Sequence, residues 1–415
     1  MKIKTGIFAL LIIISSNLFS QDGSPSPYSY FGLGDTSFKG PVETLSMGGI
    51  SSYIDSIHYN LNSPASISRL KYITLSMGLS NRFISMEDVN DKVNVSAHNL
   101  SYFALGIPIG KKAGLGFGLI PETSTNYKIL KEEETGIYTF EGSGGLSRFF
   151  LAGSYNLNKN ISLGVEFQHH FGYLRKENVW IPESSSTYTH ENNNEDLSGS
   201  TFKISGLFSY PLKNDKYISA NIDYQFSKDL QADYTGSIRL IRITPSGMEM
   251  VVSQVDKESM EGSVPLPAVL NTGMGIGKRN KWYAGAGLTY INLKDFKNSF
   301  MDPGYISYND AYTFHLGGMY QPEYNSITSY WKKIVFRGGA YYKQTGMNIY
   351  GKDITDFGIT FGLGLPGLKG VSNLNLGMEL GTRGTTENNL VKENYFNLHI
   401  SFSLNDVWFV KRKIN

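Results

Sequence analysis

Few groups in this 415-residue sequence have the residue types and spacing that chemistry needs. His169 and His170 are adjacent, but on an extended strand adjacent side chains leave opposite faces, so the pair does not ligate one ion. The run Gly273-Met274-Gly275-Ile276-Gly277-Lys278 has the glycines of a phosphate loop. It lacks the P-loop spacing and the following Ser/Thr, and it sits within a strand-like stretch. No Gly-x-Ser-x-Gly elbow occurs, and the absence of cysteine removes disulfides, cysteine-ligated zinc and thiol chemistry together. The charges that fall inside strand-like stretches, Glu166, Lys203, Asp223, Arg337 and Glu379, read as the lining of a polar interior. Glu166, for example, lies opposite Leu163, Val165 and Phe167. The expectation is a protein that is not an enzyme and takes no cofactor and no metal.

Composition narrows the elements that position these residues. The sequence has 45 glycines, 27 tyrosines and 24 phenylalanines with 18% charged residues. The formal net charge is +2, and Lys2 and Lys4 account for it. That balance lacks the basic footprint of a nucleic-acid binder, so no nucleic-acid partner is expected. The aromatic content and low charge are also far from the signature of disorder.

Residues 1–20 have a short basic start, an apolar run from Gly6 to Ile14 and a small polar exit, the pattern of a secretory signal peptide. Beyond them no run of eighteen apolar residues occurs, so a membrane location requires a closed β-barrel. The pattern for one recurs. Phe396, Leu398, Ile400, Phe402 and Leu404 share one face, and Asn397, His399, Ser401 and Ser403 share the other. Leu374 to Leu380 and Phe357 to Leu365 alternate in the same way. Fourteen such stretches follow residue 70, beginning near 71–86 and ending near 392–410. The links after even strands are tight, as at Gly110-Lys111, Asn158-Lys159-Asn160, Lys213-Asn214-Asp215 and Arg279-Asn280. Those after odd strands are expected to be long polar loops, as at Glu177–Asn194 and Thr244–Met260.

The fold class is therefore all-β: a transmembrane antiparallel barrel of about 14 strands over residues 71–415, with residues 21–70 as an N-terminal plug. Trp282, Trp331 and Trp408, with Tyr72, Tyr155, Tyr210 and Tyr217, fall at strand ends on the short-turn side, where an interfacial girdle against outer-membrane lipid belongs. The expected location is the cell outer membrane.

Ser46-Met47-Gly48-Gly49, then Asn60-Leu61-Asn62-Ser63-Pro64-Ala65-Ser66 before the first strand, resembles the start of the FadL-like outer-membrane proteins, the long-chain fatty-acid transporters. Their N-terminal hatch carries an Asn-Pro-Ala motif, which Ser63 interrupts here. Phe336 to Tyr342, Gly358 to Pro366, Gly381 to Thr385 and Asn405 to Phe409 look like the Bacteroidetes branch of that family. The resemblance implies a fourteen-stranded barrel, a hatch at Asn62, Ser63, Pro64 and Ala65, and lateral release at a kink in the third strand. That strand contains Pro121, which lacks a ladder donor. Two functions follow from it. The first is a passive channel for a hydrophobic or amphipathic small molecule. The alternative is a non-catalytic structural subunit of a Bacteroidetes outer-membrane protein assembly or secretion complex, partnered by other barrel proteins. A channel should present an apolar groove and a continuous path past the plug. A subunit should have a sealed lumen and an apolar patch for its partner.

Overall fold

The computed structural model describes residues 23–36, 40–244, 246–367 and 372–406. The expected signal peptide, 1–20, and Trp408 lie outside the described residues. Fourteen antiparallel strands close into one barrel. They are β1 (Ile73–Glu87), β2 (Lys92–Ile109), β3 (Ala113–Pro121, resuming as Lys128–Glu133), β4 (Gly136–Asn156), β5 (Ile161–Pro182), β6 (Thr187–Pro211) and β7 (Lys216–Gln225, resuming as Lys228–Ile243). There follow β8 (Glu249–Leu266, resuming as Val269–Lys278), β9 (Trp282–Ile291), β10 (Ile306–Tyr308, resuming as Ala311–Tyr320), β11 (Val335–Ile349), β12 (Lys352–Pro366), β13 (Asn373–Arg383) and β14 (Lys392–Asp406). The ring closes where β1 pairs with β14, from Ile73↔Asp406 to Glu87↔Lys392.

The usual burial rule is inverted, as a barrel with an apolar exterior requires. On β4, Phe149 and Leu151 are exposed while Phe150 and Ala152 are buried. On β14, Leu398, Ile400 and Leu404 point outward and Asn397, His399, Ser401 and Ser403 point inward. Glu166, Asp223, Arg337 and Glu379 are all buried on the inner face, Lys203 is half-buried, and His169 and His170 separate to opposite faces as strand geometry demands. The glycine-rich run at 273–278 lies wholly within β8.

The asymmetry between the two ends takes a different form from the one expected. The tight links on one side are present, but Glu177–Asn194 and Thr244–Met260 are mostly strand rather than loop. β7 pairs with β6 up to Arg242↔Thr187 and with β8 up to Ile243↔Glu249. These residues find ladder partners in each other, and a paired backbone leaves fewer unsatisfied polar groups than a loop of the same length. The result is a sheet that overhangs the barrel. β9 covers only Val269–Lys278 of β8, so Glu249–Leu266 has one edge without a partner strand among the described residues. At the base of the overhang, Leu174, Leu197, Leu230, Val264 and Met301 form an apolar cluster against Phe296 and Phe300 of the 292–305 connection.

Candidate functional site

Residues 23–36 and 40–72 run across the inner face of the barrel, and the strands supply the glycines that let them in. Gly48 has φ +72°, and a Cβ there would collide with the carbonyls of Leu316 and Ala340. From the other side, a Cβ on Gly317 or Gly339 would collide with the Met47 and Gly48 backbone. β10 and β11 thus meet this segment backbone to backbone. Met47, Ile50, Ala65 and Ile67 are completely buried.

Three polar attachments hold the segment. In the first, Asp35 receives Arg383 Nη1 at 2.6 Å and Arg82 Nη1 at 3.0 Å, with Ser24 Oγ donating at 2.7 Å. Arg383 also pairs with Glu393 at 2.8 Å, and Ser26 hydrogen-bonds both Arg383 and Glu393. Burial raises the Asp35 carboxyl, but Arg383 and Arg82 more than offset this and hold it well below the usual carboxylate range. In the second, Glu43 accepts from Asn375 Nδ2 at 2.7 Å, Gly48 N donates to Thr360 Oγ1 at 2.9 Å, and His315 Nδ1 lies 2.6 Å from Gly48 O. In the third, Ser51 is 2.8 Å from both Asn221 and Asn271, and Ser52 is 2.8 Å from the Tyr283 hydroxyl. Together these bonds reach β1, β7 to β10 and β12 to β14.

The hatch-motif residues sit beside the third attachment. Ser63 Oγ lies 3.0 Å from Ser205 Oγ, which also receives Ala65 N at 3.1 Å and bonds Asp223. Pro64 opens a buried 3-10 turn, and Asn62 N donates to Asn60 Oδ1 at 3.1 Å. Pro121 ends the first half of β3. The β2–β3 ladder stops at Phe103↔Leu119, while β3 stays paired with β4 to Pro121↔Ser147. Thr123–Ser124 then pairs with Asp35–Thr36 of the N-terminal segment instead of with β2. Trp282 begins β9 opposite Lys278 and Tyr320. Trp331 is exposed in the 3-10 turn before β11. Tyr155 and Tyr210 point outward, whereas Tyr217 is buried inside against Tyr283, so it belongs to no outer girdle.

Sequence reasoning missed Asp35, Glu43, Arg82 and Glu393. Arg82 and Glu393 carried a usable signal, since each is a charge on the inner face of a strand. Asp35 and Glu43 carried none, because their segment has no period.

Two chambers flank this layer. One, of about 400 Å³, is lined by Phe31, Leu33, Leu266, Ile291, Phe296 and Met347 with Arg148, Lys203 and His315. The other, of about 790 Å³, opens at the short-turn mouth. None of the described residues lines both. Among the described residues no group of three or more His, Asp or Glu is placed to hold a metal ion, and no helix is long and apolar enough to cross a membrane.

The family model of BamG matches residues 1–415, the whole sequence. The chain belongs to the BamG family. No curated protein matches it. Among solved structures, this BamG-family barrel is similar to the toluene transporter TodX of P. putida (17% identity, TM-score 0.61, covering 90% of this chain and 100% of that one). It is also similar to the toluene transporter TbuX of Ralstonia pickettii (15%, 0.57, 94% and 100%) and to a FadL homologue of Pseudomonas aeruginosa (11%, 0.58, 88% and 97%). At these identities the likeness is one of fold: an outer-membrane barrel of FadL type.

Proposed function

We propose that this chain is a non-catalytic barrel subunit of an outer-membrane protein assembly or secretion complex of the Bacteroidetes type, with residues 21–70 as a permanent plug. One observation carries the reading: the N-terminal segment is tied by the buried ion pairs of Asp35 to β1 and β13 and by the Ser26 hydrogen bond to Glu393 of β14, and among the described residues the chambers on its two sides share no lining residue. A hatch that yields to each passing molecule would have to break such pairs, at about 3–5 kcal/mol for each charge left buried alone. The overhang supports a partner. Ile238, Leu240, Met250, Val251, Val252 and Val255 are exposed on it beside that edge of β8, a surface that isolated proteins normally protect. The test is purification in mild detergent with mass spectrometry. Another large barrel at a stoichiometric ratio is expected, and a lone barrel that restores uptake of an apolar solute would overturn the reading.

A second reading, a passive channel for hydrophobic or amphipathic small molecules, is favoured by the apolar wall of the 400 Å³ chamber and by the transporters that share the fold. Its hatch would be Asn62, Ser63, Pro64 and Ala65, and its lateral exit the parting of β2 and β3 at Pro121. Binding of toluene in that chamber, lost on Phe296→Arg, would support it.

A further inference from the structure

We infer that the short-turn mouth, periplasmic in outer-membrane barrels, is a receptor for an acidic, extended polypeptide segment. The 790 Å³ chamber there is lined by six cationic side chains: Arg69, Lys71, Lys111, Arg279, Lys333 and Arg337. Among the described residues only two carboxylates, Asp55 and Asp406, share the wall, and Asp55 is already 2.7 Å from His58 Nδ1. None of the six cations pairs with a carboxylate among the described residues.

Two of these groups are built into the wall. Arg337 is 6% exposed; its Nη1 donates to Asn375 at 3.1 Å, but its buried Nε has no partner among the described residues. Arg69 is fixed by Ser162 at 2.7 Å and the Lys159 carbonyl at 2.8 Å, and its buried Nη2 is likewise unused. Both guanidinium groups thus keep donor capacity at the chamber wall that no described residue uses.

The arrangement favours a chain over a single anion. The cations come from separate places round the rim: the end of the N-terminal segment, the β2–β3 turn, the β8–β9 turn and the approach to β11. A phosphate group is gripped by convergent donors, often from one loop, whereas dispersed charges match negative charge spread along a backbone. Tyr53, Tyr217 and Met319 supply apolar wall between the cations for the intervening side chains. Residues 407–415 are no candidate, because they carry Lys411, Arg412 and Lys413 and no carboxylate side chain. The inference rests on the subunit reading for the owner of the peptide, and on the chamber alone for its chemistry.

The test uses the full-length barrel in detergent and a fluorescent eight-residue peptide alternating Glu with Ser or Leu, read by anisotropy. The expected result is saturable binding that weakens at least tenfold between 50 mM and 500 mM salt. It should fall tenfold or more in Arg279→Glu/Lys333→Glu and stay unchanged in Lys131→Glu, on the opposite side of the barrel. A retained heat-dependent gel shift shows that the variants are folded. Equal binding of a Lys-substituted peptide, or no loss on charge reversal, would overturn the proposal. Displacement by millimolar inorganic phosphate would overturn it in favour of a phosphate-bearing ligand. Co-purification of partners is scored separately, so the subunit reading and this one fail independently.

Discussion

Arg383 concentrates the attachment of the N-terminal segment, because one guanidinium serves Asp35, Glu393 and Ser26 at once. Arg383→Met would keep the volume and leave two carboxylates buried with reduced compensation. The expected loss is about 3–5 kcal/mol of local stability, seen as protease cleavage within residues 23–36 at a concentration that spares the wild type. His58 gives a pH dependence. Burial lowers its pKa, but the Asp55 charge and hydrogen bond, with Glu43 nearby and against Arg337, outweigh this and raise it. A raised folded pKa gives stabilisation that is full below the unfolded value of about 6.5 and is lost as pH climbs through the folded value. Amide exchange around Ile57, whose N–H donates to Asp55 at 2.9 Å, should therefore quicken from pH 6 to pH 9 by more than the intrinsic rate change. His58→Gln should remove that excess.

Among the elements, the β7–β8 hairpin is separable from the barrel beneath it. Gly236 pairs with Lys257 high on the overhang, and the apolar cluster that caps the barrel lies below them. Replacing residues 237–256 with an Asn-Gly turn should leave folding and the heat-dependent gel shift intact. It should also abolish co-purification of a partner barrel, measured by band stoichiometry. Unchanged co-purification would move the partner surface elsewhere. The tight turns and the fourteen alternating stretches were legible in the sequence because strand period and turn chemistry are local. The overhang was not, since Glu177–Asn194 is too polar to read as strand, and only its pairing with Arg175, Lys257 and neighbours on β7 makes it one.

At the scale of the molecule, near-neutrality conceals a division. The short-turn mouth is basic, while the overhang carries Glu177, Glu183, Glu191, Glu249, Asp256 and Glu258 against Arg239, Arg242 and Lys257, so each end presents a field of its own. Among the described residues none lines both chambers, as a sealed lumen would have it. In a planar bilayer the intact barrel should show little conductance, and removal of residues 23–70 should open a steady channel. Equal conductance in the two would mean that the segment does not seal the lumen.

The sequence by itself determined the barrel, its fourteen strands, the face that the alternating strand residues take, though not that of Tyr217, and the absence of the common catalytic motifs. All of these follow from periods of two residues and from local turn signals. Only the tertiary structure decided what lies inside. Asp35 meets Arg383 across 348 positions, and Met47 meets Gly339 through backbone contact. An aperiodic segment acquires its partners from whichever strands closure brings round it, and no local pattern encodes that choice. The six cations of the short-turn mouth are likewise scattered from residue 69 to residue 337, and become one site only because the ring closes.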